Sequence, residues 1–142
     1  MSDECIRLEF KVDSENFASA GSASEAVKTQ LKLLGINSHD VRRVAIAMYE
    51  GEINMVIHAK GGTAVVEIYQ NRVDITLADR GPGIADIDLA MKEGYSTAPD
   101  NIRELGFGAG MGLPNMKKNT DEMRIVSNPG VGTTIYMKVN LT

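Results

Sequence analysis

Residues 72–86 read RVDITLADRGPGIAD. The first part alternates apolar and polar side chains, as a half-buried strand does. The alternation stops at Asp79, and Arg80-Gly81-Pro82-Gly83-Ile84 follows at once. An ionised Asp at a strand end only accepts hydrogen bonds, which suits a donor such as an adenine amino group. An Asx-turn is the other use for Asp in a glycine-rich turn. Further on, GFGAGMGL (106–113) places Gly106, Gly108, Gly110 and Gly112 at every second position.

Working outward, TAVVEIYQ (63–70) is a second strand-like run, and Gln70-Asn71 between the two suits a hairpin. The longest helical pattern spans residues 36–62, with Val41, Val44, Ile46, Met48, Met55 and Val56 supplying apolar faces. Ser38 or Asp40 is the expected cap, and Gly61-Gly62 the stop. Gly51 costs about 1 kcal/mol against Ala inside a helix, so it marks a candidate close approach. Upstream, SEAVKTQLKLLG (24–35) has helical spacing, a possible cap at Ser14 or Ser22, and Gly35 as a C′ residue. CIRLEFKVD (5–13) alternates, with Ile6, Leu8, Phe10 and Val12 on one face.

Downstream, residues 80–109 have weak periodicity apart from a possible short helix at DIDLAMKE (86–93), the pattern of a functional loop or lid. MGLPNMKKNTD (111–121) reads as a short helix, and EMRIVSN, PGVGT and TIYMKVNL as a final hairpin. The order β–α–α–β–β–lid–α–β–β predicts an α+β fold. It is a two-layer sandwich with helices on one face of a mostly antiparallel, mixed sheet.

The chain has 142 residues, 43% hydrophobic and 24% charged, with a formal net charge of −4. One domain is the expectation at this length. No dense Lys/Arg block is present, which argues against a nucleic-acid partner. Cys5 stands alone, so neither a disulfide framework nor zinc spacing exists. The acidic opening MSDECIRLEF lacks the features of a signal peptide, and no apolar run approaches the roughly 20 residues of a membrane span. A cytoplasmic protein without a membrane partner is therefore expected.

The glycine pattern matches neither common phosphate loop. GxxxxGK[ST] is absent, and GxGxxG fails because Met111 or Leu113 stands where the last glycine belongs. Glycines before a helix still let backbone N–H groups approach a polyphosphate, although a flexible turn also uses them. On the long helix, Glu50 and Asn54 share one face, with His58 one step further. An amide oxygen is a hard ligand suited to Mg²⁺, and a carboxylate can orient or deprotonate a nucleophile. A solvated polar stripe is the plainer reading, and His58 suits a structural helix end. Thr133 and Thr134 stand at the start of the last strand, where a hydroxyl could support the same adenine base as Asp79 or be ordinary β-branched strand filler.

The order of these stretches resembles the GHKL ATPase superfamily. Glu50-Gly-Glu-Ile-Asn54, Asp79-Arg-Gly81-Pro-Gly83-Ile84, Gly106 to Leu113 and Gly132-Thr133-Thr134 look like its N box and three glycine boxes. The resemblance covers nearly the whole chain and implies a single histidine kinase-like ATPase domain over 1–142 with the Bergerat-type ATP-binding fold. It implies ATP and Mg²⁺, with Glu50 as general base and Asn54 as the Mg²⁺ ligand. Asp79 would hold adenine, with Thr133 or Thr134 in support and Gly81, Gly83 and Ile84 shaping the pocket. Gly106, Gly108, Gly110, Met111 and Gly112 would line the phosphates, and Arg103, or else Lys92, would be the lid cation. Two departures are Gly51 with the second acid Glu52, and Met55 where the superfamily often has Ala. Glu52 points about 200° from Glu50 on a helix, which leaves Glu50 as the base.

Within the superfamily the chain is most similar to the free-standing anti-sigma and switch-protein serine/threonine kinases. Its last strand ends one residue before the chain does, as expected where no transducer domain follows, and no upstream helix pair carries a phosphoacceptor His. The resemblance implies transfer of the ATP γ-phosphate to Ser or Thr of a small STAS-domain antagonist or switch protein. The alternative it implies is a nucleotide-gated module that sequesters a sigma factor, a phosphatase or another signalling protein. A third is the ATP-binding module of a split histidine kinase. It also implies a possible homodimer.

Overall fold

The computed structural model describes residues 4–12, 21–58, 61–80, 112–128 and 130–142, with backbone alone at 57 and 58. Its elements are β1 (Ile6–Val12), α1 (Ser22–Leu33), α2 (Ser38–His58), β2 (Gly62–Ile68), β3 (Arg72–Asp79), α3 (Gly112–Lys118), β4 (Glu122–Asn128) and β5 (Gly132–Asn140). The strands form one sheet in the order β1-β2-β3-β5-β4. All four pairings are antiparallel, so the parallel pair that a mixed sheet requires is not among the described residues. The expected short helix at 86–93 lies outside them.

Alternation along each strand sends one set of side chains to the helices. Ala64, Val66, Ile68, Val73, Ile75, Leu77, Ile135, Met137 and Val139 are buried there, against Val27 and Leu31 of α1, Val44 and Met48 of α2, and Met116 of α3. The opposite face is polar, with Asp74, Lys138 and Glu122 in register across three strands. On β1, Val12 is buried while Leu8 and Phe10 pack partly against the core. Ile6 is left 38% exposed at the far end of this outermost strand.

Gly51 is where α2 comes down on the sheet. A Cβ added there would overlap Leu77 Cδ1 and come within 3.5 Å of Met116 Sδ. A side chain here would displace the Leu77 side chain from its place under α2, and this packing offsets the helix-propensity cost of glycine.

The helix ends are satisfied partly as expected. Gly35 has φ of 76°; its N–H bonds the carbonyl of Lys32, and Ile36 N–H bonds that of Leu31. This is the Schellman closure of α1. At the start of α2 the cap is Asn37, not Ser38 or Asp40. Asn37 Oδ1 accepts the Asp40 N–H at 2.9 Å, three residues on, as an N-cap side chain does.

Asp40 is fully buried. Its Oδ2 accepts hydrogen bonds from Asn37 Nδ2 at 2.8 Å, Thr142 N–H at 2.8 Å and Thr142 hydroxyl at 2.9 Å. Arg43 Nη1 lies 3.7 Å from its Oδ1, and Arg43 Nη2 reaches Asp121 Oδ2 at 2.8 Å. The residues after β5 are thus bound to the first turn of α2. Burial opposes the charged form of Asp40, but the Thr142 and Asn37 hydrogen bonds and the Arg43 charge outweigh it and hold the carboxyl below its ordinary value. The Asn140 N–H and Arg43 do the same for Asp121.

Two outcomes follow. Gly51→Val should cost about 1–3 kcal/mol by overpacking, read by urea unfolding; unchanged stability would mean that α2 can move off β3 freely. A carboxyl depressed in the folded state contributes stability that is full above its unfolded pKa, about 3.9. That contribution is lost as pH falls through the lower folded value. Stability should therefore fall below about pH 4, and Asp40→Asn should lower it at pH 7 while flattening that acid dependence.

Candidate functional site

Glu50 and Asn54 lie on α2 one turn apart, about 6 Å along the axis, and both are half-buried. Glu50 immediately precedes the glycine that seats on Leu77. Asp79 is two residues beyond Leu77, on the same face of β3 by strand alternation. The contact of Gly51 with Leu77 thus sets the helix carrying Glu50 and Asn54 against the strand that ends at Asp79.

The backbone around Asp79 is hemmed in on both sides. Gly62 is its register partner on β2, and a Cβ there would overlap the Ala78 carbonyl oxygen. On β5 a Cβ at Gly132 would overlap the Asp79 carbonyl oxygen. Two glycines therefore allow neighbouring strands to close on this strand end, and β5 then points a donor at its carboxylate. Thr133 N–H donates to Asp79 Oδ1 at 3.0 Å. Thr133 is buried, and its hydroxyl meets Ser127 Oγ at 3.2 Å. Thr133 supports Asp79 through its main chain. Thr134 alternates to the helix-free face of β5, beside Ala78 and Val126 in the register, and does not join this group.

Of the other expected site residues, Gly112 opens α3, where a Cβ would meet nothing within 4 Å. Gly81, Gly83, Ile84, Lys92, Arg103, Gly106, Gly108, Gly110 and Met111 lie outside the described residues, and His58 is the last residue of α2.

Two further residues, one against Glu50 and one at the start of α1, were given no role by the sequence. Asn115 Nδ2 donates to Glu50 Oε2 at 2.9 Å, joining α3 to the expected base. Glu52, 3% exposed, accepts the Ala23 N–H at 3.3 Å on Oε2 and the Ser24 N–H at 3.1 Å on Oε1. The residue before α1 is Gly21 at φ 97°, which offers no side chain to the helix end. Glu52 supplies the missing cap from a different helix, and its negative charge suits the N-terminal end of the α1 dipole. The opposed directions of Glu50 and Glu52 on α2 thus correspond to two tasks, one in the site and one in holding α1.

Between α1 and α2 runs a groove of about 820 Å³, lined by Lys28, Lys32, Arg42, Ile46 and Tyr49 and reaching Glu50 and Asn115. Glu50, the expected base, therefore borders an open groove. Asn54 supplies a hard amide oxygen on the same helix, a donor suited to Mg²⁺ when phosphates complete its coordination. Among the described residues no three His, Cys, Asp or Glu side chains could hold a metal by themselves. None of the described helices is long and apolar enough to cross a membrane.

Residues 39–142 match the family described as histidine kinase-, DNA gyrase B-, and HSP90-like ATPase. The chain is 37% identical over 139 residues to the anti-sigma F factor of Pasteuria penetrans, covering 93% of this chain and 87% of that one. It is 32% identical over 118 residues to the serine/threonine-protein kinase RsbT of Bacillus subtilis, covering 80% of this chain and 83% of that one. Among solved structures it is similar to the RsbU and RsbW domains of Rv1364c from Mycobacterium tuberculosis, with a TM-score of 0.65 at 18% identity. That likeness covers 96% of this chain and 32% of the solved one, and it concerns the fold.

Glu52→Ala should lower stability by about 1–2 kcal/mol, the scale of a lost helix cap. Amide exchange would show it: the Ala23 and Ser24 N–H groups should lose protection ahead of the rest of α1. Unchanged protection would mean that the carboxylate does not hold the helix end.

Proposed function

The chain belongs to the histidine kinase-, DNA gyrase B-, and HSP90-like ATPase family, and from that premise we propose that it is an ATP-binding regulator of the anti-sigma type that phosphorylates a protein. Its acceptor would be a Ser or Thr hydroxyl on a small STAS-domain antagonist or switch protein. The observation that carries this reading is the contact of Gly51, which lies between Glu50 and Asn54 on α2, with Leu77 of β3, two residues before Asp79 at the end of that strand. The names of two relatives, an anti-sigma F factor and the serine/threonine-protein kinase RsbT, support an anti-sigma regulator and protein phosphorylation, while the STAS-domain acceptor rests on the sequence resemblance.

In this mechanism Asp79 accepts a hydrogen bond from the adenine amino group, while the Thr133 N–H on Oδ1 orients its carboxylate. Asn54 would hold Mg²⁺, which when bound offsets the negative charge of the phosphates. Glu50 takes the proton of the acceptor hydroxyl as its oxygen bonds to the γ-phosphorus. The bond from that phosphorus to the β,γ-bridging oxygen breaks, and ADP leaves with the electron pair. The products are a phosphoester, ADP and a proton on Glu50, released afterwards to water.

A second reading keeps the nucleotide and drops the transfer: sequestration of a sigma factor, favoured by the name of the Pasteuria relative. Partner affinity would then change between ATP and ADP, since a ligand shifts an equilibrium only by differential binding.

Calorimetric titration with ATP and ADP, with and without Mg²⁺, should show binding that Asp79→Asn loses. Mass spectrometry of purified STAS-domain proteins of the same organism, incubated with the protein and Mg-ATP, should find phosphoserine or phosphothreonine. Glu50→Gln should keep ATP binding and lower the transfer rate by about 100-fold or more, the scale of general-base catalysis. Undiminished transfer by that variant would remove Glu50 from its role. Nucleotide binding without any transfer would leave sequestration as the function.

A further inference from the structure

α3 packs on α2 through a buried apolar face. Leu113, Pro114 and Met116 are buried, and Met116 Sδ lies against Gly51. Asn115 is the polar residue in the middle of that run. It is half-buried at the edge of the groove between α1 and α2, and its amide donates to the Glu50 carboxylate at 2.9 Å. Its own backbone is fixed as well: Asn119 Nδ2 donates to the Asn115 carbonyl at 2.8 Å, and Thr120 hydroxyl donates to that of Met116 at 2.9 Å.

We propose that Asn115 is a positioning residue for phosphoryl transfer, holding Glu50 by one oxygen so that the other takes the proton. The inference rests on the reading of Glu50 as the base and adds a second residue to it. Among the described residues Oε2 is bonded to Asn115 and Oε1 has no hydrogen-bond donor. A carboxylate on three freely rotating bonds presents both oxygens in many directions. One bonded to a rigid helix presents Oε1 in few, which is the state a base needs for transfer in a fixed geometry. The groove between α1 and α2 reaches both residues, so the oriented pair faces a space from which a hydroxyl can arrive.

The connection also has a direction along the chain. Asn115 is three residues after Gly112, the last glycine of the run expected at the phosphates. Glu50 of α2 is thereby tied through Asn115 to α3, the helix that Gly112 opens.

The test uses the full chain and Mg-ATP alone, with water in place of the acceptor hydroxyl. Glu50 removes a proton from water, the oxygen bonds to the γ-phosphorus, and phosphate and ADP are released. Asn115→Leu keeps the size and removes the donor, while Asn115→Gln keeps an amide. Asn115→Leu should lower kcat roughly 10-fold or more with KM for ATP and calorimetric ADP affinity unchanged, and Asn115→Gln should recover part of the rate. In the Glu50→Gln background, Asn115→Leu should have no further effect, because the two residues act as one unit. Wild-type kcat in Asn115→Leu beside a slow Glu50→Gln would overturn the inference and leave the base in place. Equal kcat in wild type and Glu50→Gln would instead overturn the base itself, and the positioning role with it. Parallel losses in kcat and ADP affinity would assign Asn115 to folding alone.

Discussion

Gly51 of α2 packs directly on Leu77 of β3, and this contact between the two layers relates the candidate site residues to one another. A helix of 21 residues carries a glycine where a Cβ would overlap the strand beneath. Glu50 stands on one side of that point and Asn54 one turn beyond, while Leu77 leads two residues later to Asp79. Met116 of α3 also packs at this point, and the next residue back, Asn115, reaches Glu50. The helix itself fixes Glu50 relative to Asn54, and the Gly51 contact relates both to the strand that ends at Asp79.

Around this contact the ends of elements are held by groups from elsewhere in the chain. Glu52 of α2 closes the start of α1. Asp40 at the start of α2 takes the last residue after β5, and Arg43 reaches Asp121 between α3 and β4. Thr133 at the start of β5 bonds Asp79 at the end of β3. Buried carboxylates survive because each is met by several donors or a cation. In doing so they fix where one element begins relative to another, which local propensity cannot do.

The strands, the two longer helices and α3 were legible because their periods of 2 and 3.6 differ and their ends carry glycine or turn residues. Gly51 was legible as an anomaly, since a glycine inside a helix has a cost that packing must offset. The caps were less so. Asn37, Ser38 and Asp40 are all competent N-cap residues, and the sequence does not choose among them. Glu52 was legible only as pointing away from Glu50. Its partner, the start of α1, is 28 residues away and carries no mark of needing a carboxylate. Thr133 was expected to act through its hydroxyl, but the N–H that bonds Asp79 exists at any non-proline residue.

By itself the sequence determined the α+β order of elements, the sharing of one helix face by Glu50 and Asn54, and Asp79 at a strand end before glycines. These follow from residue type and spacing within single elements, where geometry is fixed by the backbone. Tertiary structure alone decided that Asn115 meets Glu50, that Glu52 belongs to α1, and that Asp40 clamps Thr142. Those pairings span 65, 28 and 102 residues. Distances of that kind are set by how layers pack, and a carboxylate carries the same local signature whichever distant donor it will meet.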